Sequence, residues 1–246
     1  MKNKIIVLLS VFIFCMTLGA KDASAIQNVI TVAKSGGDFT SVQAAIDSVN
    51  PTADNPYLIN VMPGTYVENI TMKSYIHLQG AGRDLTTIQI SGGAISGFDL
   101  TGVVVSGFTI KNGNYGLYFI NTSSVTVTDN TFTGSYNPAI DLYACESCTI
   151  TNNIITQTGN YGIVTTLSSN LKIKGNTISN NLAGLSPGGT AILITHNEII
   201  GNTVDISVNV GSDVNISFNV IDTIQNGRSA KGQYNVKSDG SAASLR

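Results

Sequence analysis

The chain has 246 residues, of which 42% are apolar and 11% charged, with 25 Gly, 5 Pro and no Trp. That charge content is about half the share usual in a soluble domain, so hydration must rest largely on amides and hydroxyls. A formal net charge of −2, with no cluster of Lys and Arg, excludes a nucleic-acid-binding surface.

Residues 1–25 read as an export signal. Lys2 and Lys4 precede an apolar run from Ile5 to Ala20, and Ala23-Ser24-Ala25 has the small-x-small form of a cleavage site. The run is shorter than the ~20 residues a membrane span needs. Bulky Phe14, ahead of Cys15, argues against lipidation. The mature chain is therefore expected to be secreted or periplasmic, with no membrane span left after cleavage.

Ile30–Ala33 is expected as a first strand, followed by a turn at Ser35–Asp38. Thr40 with Gln43 three residues later makes a capping box, and Val42, Ala45, Ile46 and Val49 fall on one helical face. Asn50-Pro51 ends that pattern, giving a helix over about 40–50. A single short amphipathic helix ahead of a repeat array is expected to cap the open end of its core. Tyr57–Val61, Ile76–Leu78 and Ile88–Ile90 then alternate as strands, with Gly64, Gly80, Gly82, Gly92 and Gly93 at the corners.

The second half repeats. Val125-Thr-Val-Thr-Asp-Asn-Thr-Phe132 is followed by equivalent segments starting at Cys148, Leu171, Ile192 and Val214, with Asn at 130, 153, 176, 197 and 219. Steps of 23, 23, 21 and 22 residues, with apolar residues two apart, describe the coils of a parallel β-helix. The predicted fold is an all-β solenoid, a single-stranded right-handed parallel β-helix of ~22-residue coils with a short N-terminal capping helix, spanning residues 26–225. One inward column is Val103, Val125, Cys148, Leu171, Ile192 and Val214. A second is Val105, Val127, Ile150, Ile173, Ile194 and Ile216, and a third is Ile110, Phe132, Ile155, Ile178, Ile199 and Ile221. The Asn column is read as a hydrogen-bonded ladder, because each stacked amide can donate to one neighbour and accept from the other. Residues 226–246 lose the period and are polar, as in a tail or a far-end cap.

Two stretches near the start carry a family resemblance. Val32-Ala-Lys-Ser-Gly-Gly-Asp-Phe-Thr-Ser-Val-Gln-Ala-Ala-Ile46 and Asn60-Val-Met-Pro-Gly-Thr-Tyr-Val-Glu-Asn69, followed by Leu78-Gln-Gly-Ala-Gly-Arg-Asp-Leu-Thr-Thr-Ile88, resemble the opening of pectinesterases. The resemblance covers roughly residues 29–90 and implies a pectin-lyase-like β-helix, with Gly64-x-Tyr66-x-Glu68 as a fold marker. It does not extend to catalysis. The family's working aspartates lie in Gln-Asp-Thr-Leu and Asp-Phe-Ile-Phe-Gly motifs and its arginine in Gly-Arg-Pro-Trp, and none of these is present. No Arg occurs between Arg83 and Arg228. The same gap tells against pectate lyase and polygalacturonase chemistry.

What remains for binding lies on one outward column. Asp141 sits between inward Ile140 and Leu142, level with Tyr118 in the coil before and Val164 in the coil after. Tyr143 follows two residues on, and Tyr115, Tyr136 and Tyr161 fall in nearby turns. Tyr rings stack on sugar faces and a carboxylate accepts from hydroxyls, so Tyr118, Asp141 and Tyr143 are the candidate substrate-binding residues for an acidic or neutral polysaccharide. Solvated surface positions are the competing reading. A two-acid hydrolase needs a second carboxylate ~5–9.5 Å away, and this column offers none.

His77 and His196 each stand alone, and Cys145 and Cys148 have no second pair, so no metal site and no cofactor are expected. The two cysteines read equally as buried thiols or as a local disulfide. Thr126/Thr128 above Thr149/Thr151 resembles the rungs of flat ice-binding β-helices, but Lys172 and Lys174 interrupt the pattern. The reading is an exported β-helix that binds carbohydrate or serves a structural role. An atypical uronate-polysaccharide enzyme and a surface-adhesive rod are the alternatives.

Overall fold

The computed structural model describes residues 28–225 and 230–245. The expected export signal lies outside them. Three parallel sheets run along the molecule. The first has ten strands, from Asn28–Val32 to Ala230–Lys231. The second runs from Gly64–Val67 to Val220–Ile221, the third from Ile70–Thr71 to Ile224–Gln225, and each has eight. Together they form a right-handed parallel solenoid of about eight coils of roughly 22 residues.

Register follows from the apolar columns. Val105, Val127, Ile150, Ile173, Ile194 and Ile216 lie directly above one another in the first sheet. The other two predicted columns are also buried throughout, with Phe132 between Ile110 and Ile155 in the second sheet. A one-residue slip would turn every one of these side chains to solvent, which is what holds each rung in place.

Between the first and second sheets the chain turns through a residue of positive φ followed by the ladder Asn. Asp129, Asn152, His196, Phe218 and Tyr234 adopt φ of 56 to 60° there, and Gly175 adopts 69°. Asn130, Asn153, Asn176, Asn197 and Asn219 behind them are buried. Each Nδ2 donates to Oδ1 of the next Asn, at 3.2, 3.0, 2.9 and 3.0 Å. The same Oδ1 accepts from the backbone N–H of the preceding Asn. The predicted ladder is therefore present, and it serves backbone groups that the corner leaves without partners. Asn235 extends it by one rung, accepting from Asn219 N at 3.0 Å. Residues 230–236 thus add strand and ladder to the end of the rod, and Val236 bridges back to Ala242.

A second ladder was not foreseen. Thr158, Asn181 and Asn202 stack between the second and third sheets and end on Asp205, which is 0% exposed. Asp205 Oδ1 accepts from Asn202 N and Nδ2, and Oδ2 from the N–H groups of Asp222 and Thr223. Donors alone face the carboxylate, whose two oxygens close the ladder where an amide would bring an N–H against them.

The helix is Val42–Asp47, and Val42, Ala45, Ile46 and Val49 are buried as expected. Its capping differs from the predicted Thr40/Gln43 box. Ser41 is the N-cap, accepting from Ala44 N, while Gln43 is drawn off to Thr71 N and Asp47. Glu68 takes the remaining donors: its carboxylate accepts from Ser41 Oγ, Val42 N and Gln43 N at 2.8–2.9 Å. Tyr66, fully buried, donates to the carbonyl of Met62. The Gly64-x-Tyr66-x-Glu68 marker thus ties the first coil to the helix start, where a negative charge is favoured.

Candidate functional site

The outward face of the third sheet carries the predicted site. Ser96, Tyr118, Asp141 and Val164 lie level on successive strands, and Phe98, Ile120, Tyr143 and Thr166 form the next outward column. Alternation along Ile140–Tyr143 turns Ile140 and Leu142 into the core and leaves Asp141 and Tyr143 outside, as expected. Tyr115, delivered by the preceding corner, stacks on Tyr118 with ring centroids 4.8 Å apart and planes 18° apart. Phe98 meets Tyr118 edge-on at 6.2 Å and 86°. Phe98 and Tyr143 are 52% and 42% exposed.

Asp141 is half-buried in this aromatic setting, and loss of hydration raises its pKa above the ordinary carboxylate value. Burial raises the Tyr118 phenol, with Asp141, Tyr115 and Tyr143 adding to the effect. The structure therefore brings Tyr118 and Asp141 side by side and sets Tyr143 one column away. It stacks Tyr115, expected in a nearby turn, on Tyr118 and adds Phe98. Phe98 was missed because Ile95–Phe98 precedes the regular repeat and carries Gly97 at an inward position. The column Ser96, Tyr118, Asp141 and Val164 holds one acid. Shallow grooves flank the face. One of about 400 Å³ is bordered by Asn112, Asn114 and Tyr136, and one of about 380 Å³ by Thr166, Leu167 and Val210.

The other predicted positions are separate. His77 lies within strand Ile76–Gly80, where burial lowers its pKa. His196 is stacked on Phe218 at 5.4 Å, and Phe218 on Tyr234 at 5.0 Å, as an outward column at the first corner. Cys145 and Cys148 are free and buried.

A family model described as "Periplasmic copper-binding protein (NosD)" matches residues 48–240. The chain belongs to this family. A cell surface glycoprotein of Methanothermus fervidus is 29% identical to this NosD-family chain over 141 residues, covering 57% of the chain and 23% of the glycoprotein. A probable pectinesterase of Arabidopsis thaliana is 38% identical over 88 residues, covering 33% and 26%. The chain thus spans about a quarter of the length of these relatives. Among solved structures, pectate lyase Pel9A has a TM-score of 0.59 at 16% identity, with 89% of this chain and 79% of the lyase covered. An alginate lyase from Paenibacillus sp. has 0.59 at 10%, with 87% and 97% covered. At these identities the likeness is one of fold, and it agrees with the pectinesterase-like β-helix read from the sequence.

The family description sets a test for the donors of this NosD-family chain. Among the described residues no three His, Cys, Asp or Glu side chains converge. Divalent copper, which takes nitrogen and oxygen donors in a tetragonal arrangement, finds no matching set among them. Cys145 and Cys148 are different. They face the same interior corner, and thiolates are the soft donors that monovalent copper selects. Their chemistry fits that ion.

Proposed function

We propose that this NosD-family protein is exported and binds a polysaccharide across the outward face of the third sheet. The observation that carries the reading is the Tyr115–Tyr118 stack with Phe98 edge-on and Asp141 level with Tyr118. Aromatic rings offer an apolar face to the C–H side of a sugar, while the carboxylate and the Tyr hydroxyls take its hydroxyl groups. The grooves on either side would leave room for a chain longer than one residue.

Further support comes from the relatives. Pectate lyase and alginate lyase act, by their names, on acidic polysaccharides, and they share this fold. Export is supported by the family's periplasmic description, by the cell-surface relative and by the charge pattern of residues 1–25. Catalysis has less behind it. Asp141 has no second acid in its column, and hydrolysis with two carboxylates needs one.

The test is calorimetric titration with oligosaccharides of polygalacturonate and of alginate, with mass spectrometry of the mixtures afterwards. Wild type should bind one class and leave it unchanged. Tyr118→Ala and Asp141→Ala should each weaken binding about tenfold or more, with the far-ultraviolet spectrum intact. Equal binding by wild type and the folded double variant would remove this surface from the account. Cleaved or unsaturated products would replace binding by catalysis.

A further inference from the structure

The corner from the third sheet to the first is built alike in successive coils, and one of those corners differs in chemistry. Ala144 and Ser147 have φ of 52 and 55°, and each directs the following side chain inward. The two inward positions are Thr122 and Val125 in the coil before and Ser168 and Leu171 in the coil after. In the middle coil both are cysteine. A hydroxyl would continue the polar column and an aliphatic side chain the apolar one, as the neighbouring coils demonstrate. Packing alone therefore does not require either sulfur.

The pair occupies a polar pocket within the core wall. Thr122 Oγ1 lies 3.1 Å from Cys145 Sγ, and the carbonyls of Tyr143 and Glu146 are 3.4 Å from Cys145 Sγ and 3.3 Å from Cys148 Sγ respectively. Each cysteine is 1% exposed, yet Glu146 and Ser147 between them face solvent. One turn of backbone separates the sulfurs from water.

We infer that Cys145 and Cys148 form a two-sulfur site for a monovalent copper ion beneath the Glu146–Ser147 turn. Each sulfur that binds gives up its proton, so a cuprous ion held by two thiolates carries one net negative charge. The Thr122 hydroxyl is placed to donate toward that charge. Entry proceeds through local opening of the exposed turn rather than through a preformed channel.

The test is an anaerobic titration of the reduced protein with cuprous ion against bathocuproine disulfonate. One ion should be retained per chain, with thiolate-to-copper absorption and two sulfur neighbours by X-ray absorption. The double variant Cys145→Thr/Cys148→Val copies the corner of the preceding coil, so it should fold and lose the ion. Cys145→Thr alone should lose it too, and serves if the double variant is unstable. Wild type that yields no copper complex with both thiols titrating as reduced would overturn the site. So would copper retained unchanged by either folded variant.

Discussion

Asn176→Ala tests whether the ladder holds the rod together or merely accompanies it. Asn176 Oδ1 accepts from Asn153 N at 2.9 Å and from Asn153 Nδ2 at 3.0 Å, while its Nδ2 donates to Ile150 O and Asn197 Oδ1, both at 2.9 Å. Not all of these losses weigh equally. Asn153 Nδ2 retains Val127 O and Thr151 O, and Asn197 Oδ1 retains the backbone N–H of residue 176. The Asn153 N–H and the Ile150 carbonyl lose the side-chain partners that served them. Each such loss costs about 1–3 kcal/mol, so the variant should be destabilised by about 2–6 kcal/mol. Asn180→Gly is the control, since Asn180 is exposed at a positive φ of 57° and its change should stay within about 0.5 kcal/mol. Urea unfolding followed by far-ultraviolet circular dichroism gives both values, with the slope checked for loss of two-state behaviour. A loss below about 1 kcal/mol for Asn176→Ala would refute the reasoning, because the corner would then be satisfying its backbone in another way.

Three further outcomes follow from the same structure. Ile173→Ala removes a fully buried side chain from the middle of its column and should cost about 2–5 kcal/mol in the same unfolding assay. Glu68→Ala leaves the first helical N–H groups without their carboxylate and should cost about 1–2 kcal/mol, read as a lowered urea midpoint. Asp141 has a folded pKa raised by burial, so its contribution to stability is fullest below the unfolded carboxylate value and is lost as pH rises through the folded value. Asp141→Asn should therefore raise the urea midpoint at pH 7 relative to wild type, and the difference should vanish at pH 3. A difference that persisted unchanged at pH 3 would assign the effect to packing instead.

Much of the fold was legible because a solenoid writes the same local problem into every coil. Apolar residues two apart had to face inward, and an Asn recurring once per coil had to stack on its like as an amide ladder. The second ladder was harder to see. Thr158, Asn181 and Asn202 differ in type, so no single recurring residue marks the column. Helix capping was misassigned for a related reason: Glu68 lies more than twenty residues away and reaches Val42 only once the first coil has closed. Of the candidate site, Tyr118 and Asp141 could be placed level by counting between repeats. Phe98 could not, since it precedes the regular stretch. Tyr115 required the path of a corner, which strand periodicity does not contain.

The Asn ladder has a direction. Every Oδ1 receives from the coil before it, and from Asn130 to Asn219 each Nδ2 gives to the Asn of the coil after it, so these rungs face the same way along the axis. A coil is thus an interchangeable unit with a donor side and an acceptor side. Duplicating residues 154–176 as a block would present the same two sides at both new joints and would lengthen the rod without asking any neighbour to change. Inverting a coil, or inserting half of one, would set donor against donor. Length in such a molecule is set in whole coils, and the ladder is what enforces the count.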